Sequence, residues 1–219
     1  MDIFQLNDDQ LKIILDSYSK YLSKHEENVD YIKTLGETAL YVQRSFIDLN
    51  KLRKDNDKTL HKNLMIYTRM LEGPKIIYGE ERLKSFSPYF RGAMNYLASS
   101  KDSVEDKVFN LVDDNGKYRF NKIQKQFWSP IISALDSSKY PHWNNKTERA
   151  LKELGLKISS KLHAGEIYGL IIKAFNKLKS LNSKIDLFEL NHFMHYLTSI
   201  DEGVFLLKKI KGIERIGEK

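Results

Sequence analysis

Apolar residues return at three- and four-residue intervals through most of this chain, the spacing that lays one hydrophobic stripe along a helix. Asn7 followed by Gln10 reads as a capping box, and Leu11, Ile14, Leu15, Tyr18 and Leu22 repeat behind it, which predicts a first helix. Residues 26–53 keep Val29, Ile32, Ala39, Val42, Phe46 and Leu49 on one face, while Lys33, Glu37, Arg44, Asp48 and Lys51 fall mostly off it. A long second helix is expected there. Residues 58–71 carry Leu60, Leu64, Tyr67 and Leu71 in the same rhythm, and Gly73-Pro74 supplies the stop. Ser87-Pro88 predicts the opening of a helix that runs to about Ala98, and Ser103 with Asp106 opens a shorter one.

Asp113-Asp114-Asn115-Gly116 is the strongest turn signal in the chain. Its near-alternating flanks, 109–112 and 117–120, allow a small hairpin, but a helix over 104–112 ending in a polar loop is preferred because an isolated hairpin is marginal in water. An EF-hand is excluded, since Leu111 stands where the first ligand would be. Beyond the turn, Ile123, Phe127, Ile131 and Leu135 predict a helix over 120–135, bent or restarted at Pro130. Further helices are expected over 144–154, closed by Gly155, over 164–181, and over 186–198. The pattern as a whole predicts an all-α fold, a bundle of about eight or nine helices with at most a small hairpin near 109–120.

Composition narrows the chemistry. With 219 residues and 41% hydrophobic content the chain can bury a real core, as one large domain or two small helical ones. The absence of cysteine removes disulfides, zinc fingers, iron–sulfur ligation and thiol nucleophiles, and fits a cytoplasmic location. No apolar run approaches the roughly 18 residues of a membrane span, and the N-terminus is acidic where an export signal would be basic, so no membrane association is expected.

The net charge of +7 is unevenly placed. Residues 1–110 carry 17 Lys+Arg and 17 Asp+Glu, whereas 117–184 carry 14 basic residues against four acidic ones. The chain therefore reads as a neutral helical region, 1–110, and a basic one, 111–219, in two domains or one. Any boundary should fall near 100–117. A polyanion is the partner such asymmetry suits, against the alternative of a solvated lysine-rich surface.

No Gly-rich phosphate cradle, G-x-S-x-G elbow or H-E-x-x-H pair is present, and no cofactor is expected. Glu189, His192 and His195 follow one another at three-residue spacing, which spreads them over a wide arc of one helix, so no metal site is expected either. The segment Lys139-Tyr140-Pro141-His142-Trp143-Asn144-Asn145-Lys146-Thr147 is richer: two aromatics, a histidine, two amides and two lysines around a stiffened turn. Aromatics stack on unpaired bases, amides read base edges, and a helix N-terminus offers N–H groups to phosphate. Equally, Tyr140 and Trp143 can pack the loop on the core while Asn144 caps the helix. Lys146 becomes an amine nucleophile only where burial or crowding lowers its pKa. The basic tail over 208–217 lacks the glycine spacing of a helix-hairpin-helix loop and reads as a frayed end.

The stretch Phe127-Trp128-Ser129-Pro130, then 139–147, then Ala150-Leu151 resembles a segment of small helical bacterial and phage proteins and of the N-terminal regions of McrB-like restriction ATPases. The resemblance covers about 120–200 and implies a helical arrangement similar to that of helix-hairpin-helix DNA glycosylases. This chain has Pro130 where that pattern has lysine and Asn144 where it has aspartate. The resemblance implies a DNA-associated role in a phage, mobile-element or restriction and defence setting more than it implies an enzyme.

Three functions stay open. The first is nucleic-acid binding, DNA foremost, without catalysis, through Lys122, Lys125, Lys139, Lys146, Arg149, Lys173 and Lys177, with Tyr140, His142, Trp143 and Asn145 supplying shape or base contacts. The second is a glycosylase or lyase on modified or damaged bases, with Lys146 or Asp186 acting on the sugar. In the third, residues 1–110 pair through their amphipathic helices with a second copy or another protein.

Overall fold

The computed structural model describes residues 3–25, 27–71 and 79–212. Among these residues it is all-helical. Its elements are α1 (Asp8–Lys24), α2 (Glu27–Val42), a π-helical turn (Gln43–Ile47), α3 (Leu49–Lys54), α4 (Asp57–Met70), α5 (Glu80–Ser99), α6 (Val104–Val112), α7 (Lys125–Leu135), α8 (Asn145–Glu153), α9 (Ala164–Leu181), α10 (Leu187–Ser199) and α11 (Asp201–Ile210). Among the described residues eleven α-helices thus stand against the eight or nine expected.

Local chemistry explains the ends that the sequence placed well. Asn7 and Gln10 close the α1 capping box through reciprocal bonds of 2.9 and 3.1 Å. Ser103 caps α6, and Asn144 caps α8 by accepting the Thr147 N–H at 2.9 Å. At the other end of α8, Leu156 N–H reaches the Leu151 carbonyl and Gly155 adopts φ +96°, a Schellman closure. No side chain fits at Gly155, where a Cβ would lie 2.6 Å from the Gln5 nitrogen.

The expected helix over 26–53 is divided. A π-helical turn absorbs an extra residue at Gln43–Ile47, after which Asp48 leaves helical geometry and accepts from Asn50 N and Lys51 N to start α3. Val29, expected on the buried stripe, is exposed. Helix α5 begins at Glu80, well before Ser87-Pro88, because Leu83, Phe86 and Phe90 bury one face and Glu80 and Glu81 favour the N-terminal end. Pro88 sits on its exposed face, where the lost donor costs least. Helix α7 starts at Lys125, five residues later than expected, since 120–124 turn back through an isolated Phe120–Ile123 bridge with Lys122 at φ 67°. The hairpin does not form: Asn110 accepts from Lys117 N and Tyr118 N and folds the chain onto the end of α6. The tail is helical as far as Ile210, as α11, where fraying was expected. The Gly73-Pro74 stop and residues 213–217 of the tail lie outside the described residues.

One cluster of buried side chains runs from Phe4 to Leu207 and draws on both the neutral and the basic regions. Its centre is aromatic: Phe46, Tyr67, Phe86, Phe90, Phe127 and Trp128 meet at ring distances of 5.0 to 6.1 Å, mostly edge to face. Helix α10 packs on α2, α8 and α11, and α9 on α6, which sets the loop before α8 against the middle of the molecule.

Candidate functional site

The loop between α7 and α8 is a packed wedge. Pro141 accepts the Tyr168 hydroxyl at 2.8 Å, and the Thr147 hydroxyl donates to the His142 carbonyl at 3.2 Å. Trp143 donates its backbone N–H to the Ser129 hydroxyl and its indole N–H to Glu148 at 2.7 Å, while Lys125 lies 5.2 Å from its ring centre. With Trp143 only 4% exposed, its faces are covered by the protein itself. Tyr140 is half-buried against the core. His142 is buried, and desolvation pushes its pKa down to about 4. The Trp143 ring holds the loop on the core and does not present a stacking platform, whereas Tyr140 keeps part of its ring exposed.

Behind this loop lies a cavity of about 60 Å³, open on one side among the described residues. Tyr31, Leu35 and Thr38 of α2, Gln126, Ser129 and Pro130 of α7, Asn191 of α10, and His142, Trp143 and Asn144 of the loop line it, with Met70 and Leu71 at the end of α4. Neither side-chain amide atom of Asn191 has a hydrogen-bond partner among the described residues, and neither has His142 Nε2. Each such orphaned group costs about 1–3 kcal/mol of stability. That cost marks the place as one that stability alone does not explain.

Next to the cavity, α1, α2 and α10 share an aromatic cluster in which Tyr18, Tyr31 and His195 surround His192. Burial first, then His195 and Lys146, lower the His192 pKa to about 4. Glu189 is committed to the α10 capping box through Asp186 N at 2.8 Å, and no group of three metal-ligating side chains is found among the described residues. Asp186 is the reciprocal half of that box, accepting from Glu189 N at 2.8 Å, so its carboxylate has a capping role.

The basic candidates divide by position. Lys122, Asn145, Arg149 and Lys173 are exposed, and Lys146 is half-buried at the start of α8. Lys139 pairs with Asp136 at 2.7 Å, and Lys177 with Asp8 at 2.7 Å. On α8, Asn145, Glu148, Arg149, Lys152 and Glu153 line one shallow outer groove. Its two carboxylates are each held by a lysine from elsewhere: Glu148 by Lys125, and Glu153 by Lys211 at 2.6 Å. The structure therefore gathers Lys125, Arg149, Lys152 and Lys211 around α8, while Lys177 is engaged with α1.

Nothing among known protein families, curated proteins or solved structures matches this chain. No helix among the described residues is long and apolar enough to cross a membrane. Sequence reasoning did not single out Asn191, Gln126 or Lys211 as site residues. The signal for Asn191 was an amide at a helical position framed by Leu187, Leu190, Phe193 and Met194, where an apolar residue would serve packing. Lys211 was hidden because its partner Glu153 lies 58 positions away.

Proposed function

We propose that this chain binds nucleic acid, duplex DNA foremost, through the outer face of α8, and that it does so without catalysis of its own. The observation that carries the reading is the occupation of both acidic side chains of that face by Lys125 and Lys211, which leaves Arg149 and Lys152 to set its charge. A helix face with its carboxylates neutralised attracts phosphate at long range and releases counterions on contact. The exposed Lys122, three residues before Lys125, extends the same charge. The resemblance of residues 120–200 to restriction-associated and phage proteins supports the same class of partner and suggests a defence or mobile-element setting.

Binding to a short duplex, followed as salt is raised, tests the reading. The logarithm of the association constant should fall linearly against the logarithm of salt, by about 0.9 for each phosphate contacted. Changing Arg149 and Lys152 together to glutamate should flatten that slope by about two contacts' worth. A protein that binds no duplex at low salt, or whose charge-reversed form binds as the parent does, would not have this function.

A further inference from the structure

We propose that the cavity between α2, α7, α10 and the 141–144 loop is a binding site for a neutral planar group that carries a hydrogen-bond donor and acceptor side by side: a carboxamide, or the amide edge of a pyrimidine. The assignment does not rest on the nucleic-acid reading of α8.

Asn191 is 9% exposed and His142 is 7% exposed, and both line the cavity. The Asn191 amide holds one acceptor and two donor hydrogens with no protein partner among the described residues. A group with the same edge meets it through two antiparallel hydrogen bonds, the geometry by which an asparagine reads a base. Ser129, which accepts from the Trp143 N–H, still has its own hydroxyl proton to donate, and His142 offers Nε2.

Charge excludes the other ligand classes. Among the described residues no Asp, Glu, Lys or Arg lines the cavity, and His142 is neutral at ordinary pH because burial disfavours its cation. A carboxylate, phosphate or ammonium would surrender its hydration there with no opposite charge to meet it. Size sets the depth of entry. About 60 Å³ is less than half of the roughly 150 Å³ of a cavity that takes a whole benzene ring, so the amide edge enters and the rest of the ligand stays at the open side. There Tyr31, Leu35, Met70 and Leu71 supply an apolar wall for a flat body.

The edge can belong to a free small molecule or to an unpaired base in a single strand, and one titration separates them. The full chain, isotope-labelled so that side-chain amide and histidine ring signals are visible, is titrated with uracil, with acetamide, and with oligothymidylate. Saturable shifts of the Asn191 and His142 signals with uracil or acetamide support a free ligand. The same shifts with oligothymidylate alone support an unpaired base. Asn191→Leu, followed through the His142 signals, should weaken the response by about tenfold or more, the worth of one bidentate pair. Should that variant fail to fold, Asn191→Ser keeps a polar group in the cavity, loses the paired donor-and-acceptor edge and should show the same weakening. Arg149→Glu should leave the shifts intact, which separates this site from duplex binding at α8. If none of the three probes shifts these signals saturably, or if the Asn191 variants respond as the parent does, the site is not a ligand site and the proposal fails.

Discussion

Tyr18 and His192 lie in hydrogen-bond contact, 3.0 Å from hydroxyl oxygen to Nδ1, and a third group fixes the direction of that bond. The Tyr18 proton goes to the Glu189 carbonyl at 2.8 Å, so the hydroxyl oxygen is left as acceptor and His192 donates from Nδ1. The lone pair of His192 then sits on Nε2. Nitrogen chemical shifts of the ring should report this tautomer at neutral pH, and a ring protonated on Nε2 instead would contradict it.

Acid should destabilise the protein through its buried histidines. Both His142 and His192 have pKa values pushed down to about 4 from an ordinary value near 6.5, chiefly by burial. The unfolded chain therefore binds the more protons between those values, so this stability is complete above about pH 6.5 and is lost as pH falls through about 4. For His142 the loss approaches about 3 kcal/mol. Urea midpoints between pH 8 and pH 4 should fall accordingly, and His142→Gln should flatten the curve. A parent curve already flat across that window would refute the assignment.

Glu148 links stability to charge. It accepts from the Trp143 indole and holds Lys125, so Glu148→Gln keeps an acceptor for the indole while releasing the lysine. Stability should drop by about 1–3 kcal/mol. Affinity for duplex should move the other way, with the salt slope steeper by about one phosphate contact. Fluorescence anisotropy alongside urea unfolding measures both, and a parallel fall in the two would argue against the α8 face as the binding surface.

Two glycines should answer substitution with opposite signs. A Cβ at Gly165 would stand 2.2 Å from the Glu105 carbonyl oxygen, where α6 crosses α9, whereas one at Gly92 would meet nothing within 4 Å. Gly165→Ala should cost about 1–3 kcal/mol through overpacking. Gly92→Ala, on an exposed turn of α5, should add about 0.5–1 kcal/mol through backbone entropy. Thermal or urea unfolding of the pair tests the helix crossing directly.

What was legible in the sequence was local. The Asn7 and Ser103 caps, the run of α9 and the Asn144 start of α8 depend on residues within a turn of each other. Asp48 was taken as a surface position of one long helix, and its capping role became visible only with the π-helical turn before it. Ser87-Pro88 looked like a helix start, yet Phe86 and Phe90 belong to one buried face and carry the helix through the proline. For the site, composition singled out 139–147, part of which lines the cavity. It left open whether Trp143 faces inward, and it did not reveal that Asn191 lies across the same cavity.

Tyr67 ties α4 to α7. Its hydroxyl donates to the Phe127 carbonyl in the turn where proline interrupts the helical ladder. Tyr67→Phe removes the donor without changing the shape of the aromatic core and should cost about 1–3 kcal/mol. A variant as stable as the parent would mean that water satisfies that carbonyl equally well.

Helix α1 finds its partners almost at the other end of the chain. Asp8 pairs with Lys177, Tyr18 reaches Glu189, and the Ser17 and Tyr196 hydroxyls lie 3.4 Å apart, separations of 169 to 179 residues. During synthesis α1 must wait with Leu11, Ile14 and Tyr18 uncovered until α9, α10 and α11 have been made. Until then its apolar stripe is open to capture by chaperones, and the far-separated helices α9, α10 and α11 are what finally cover it.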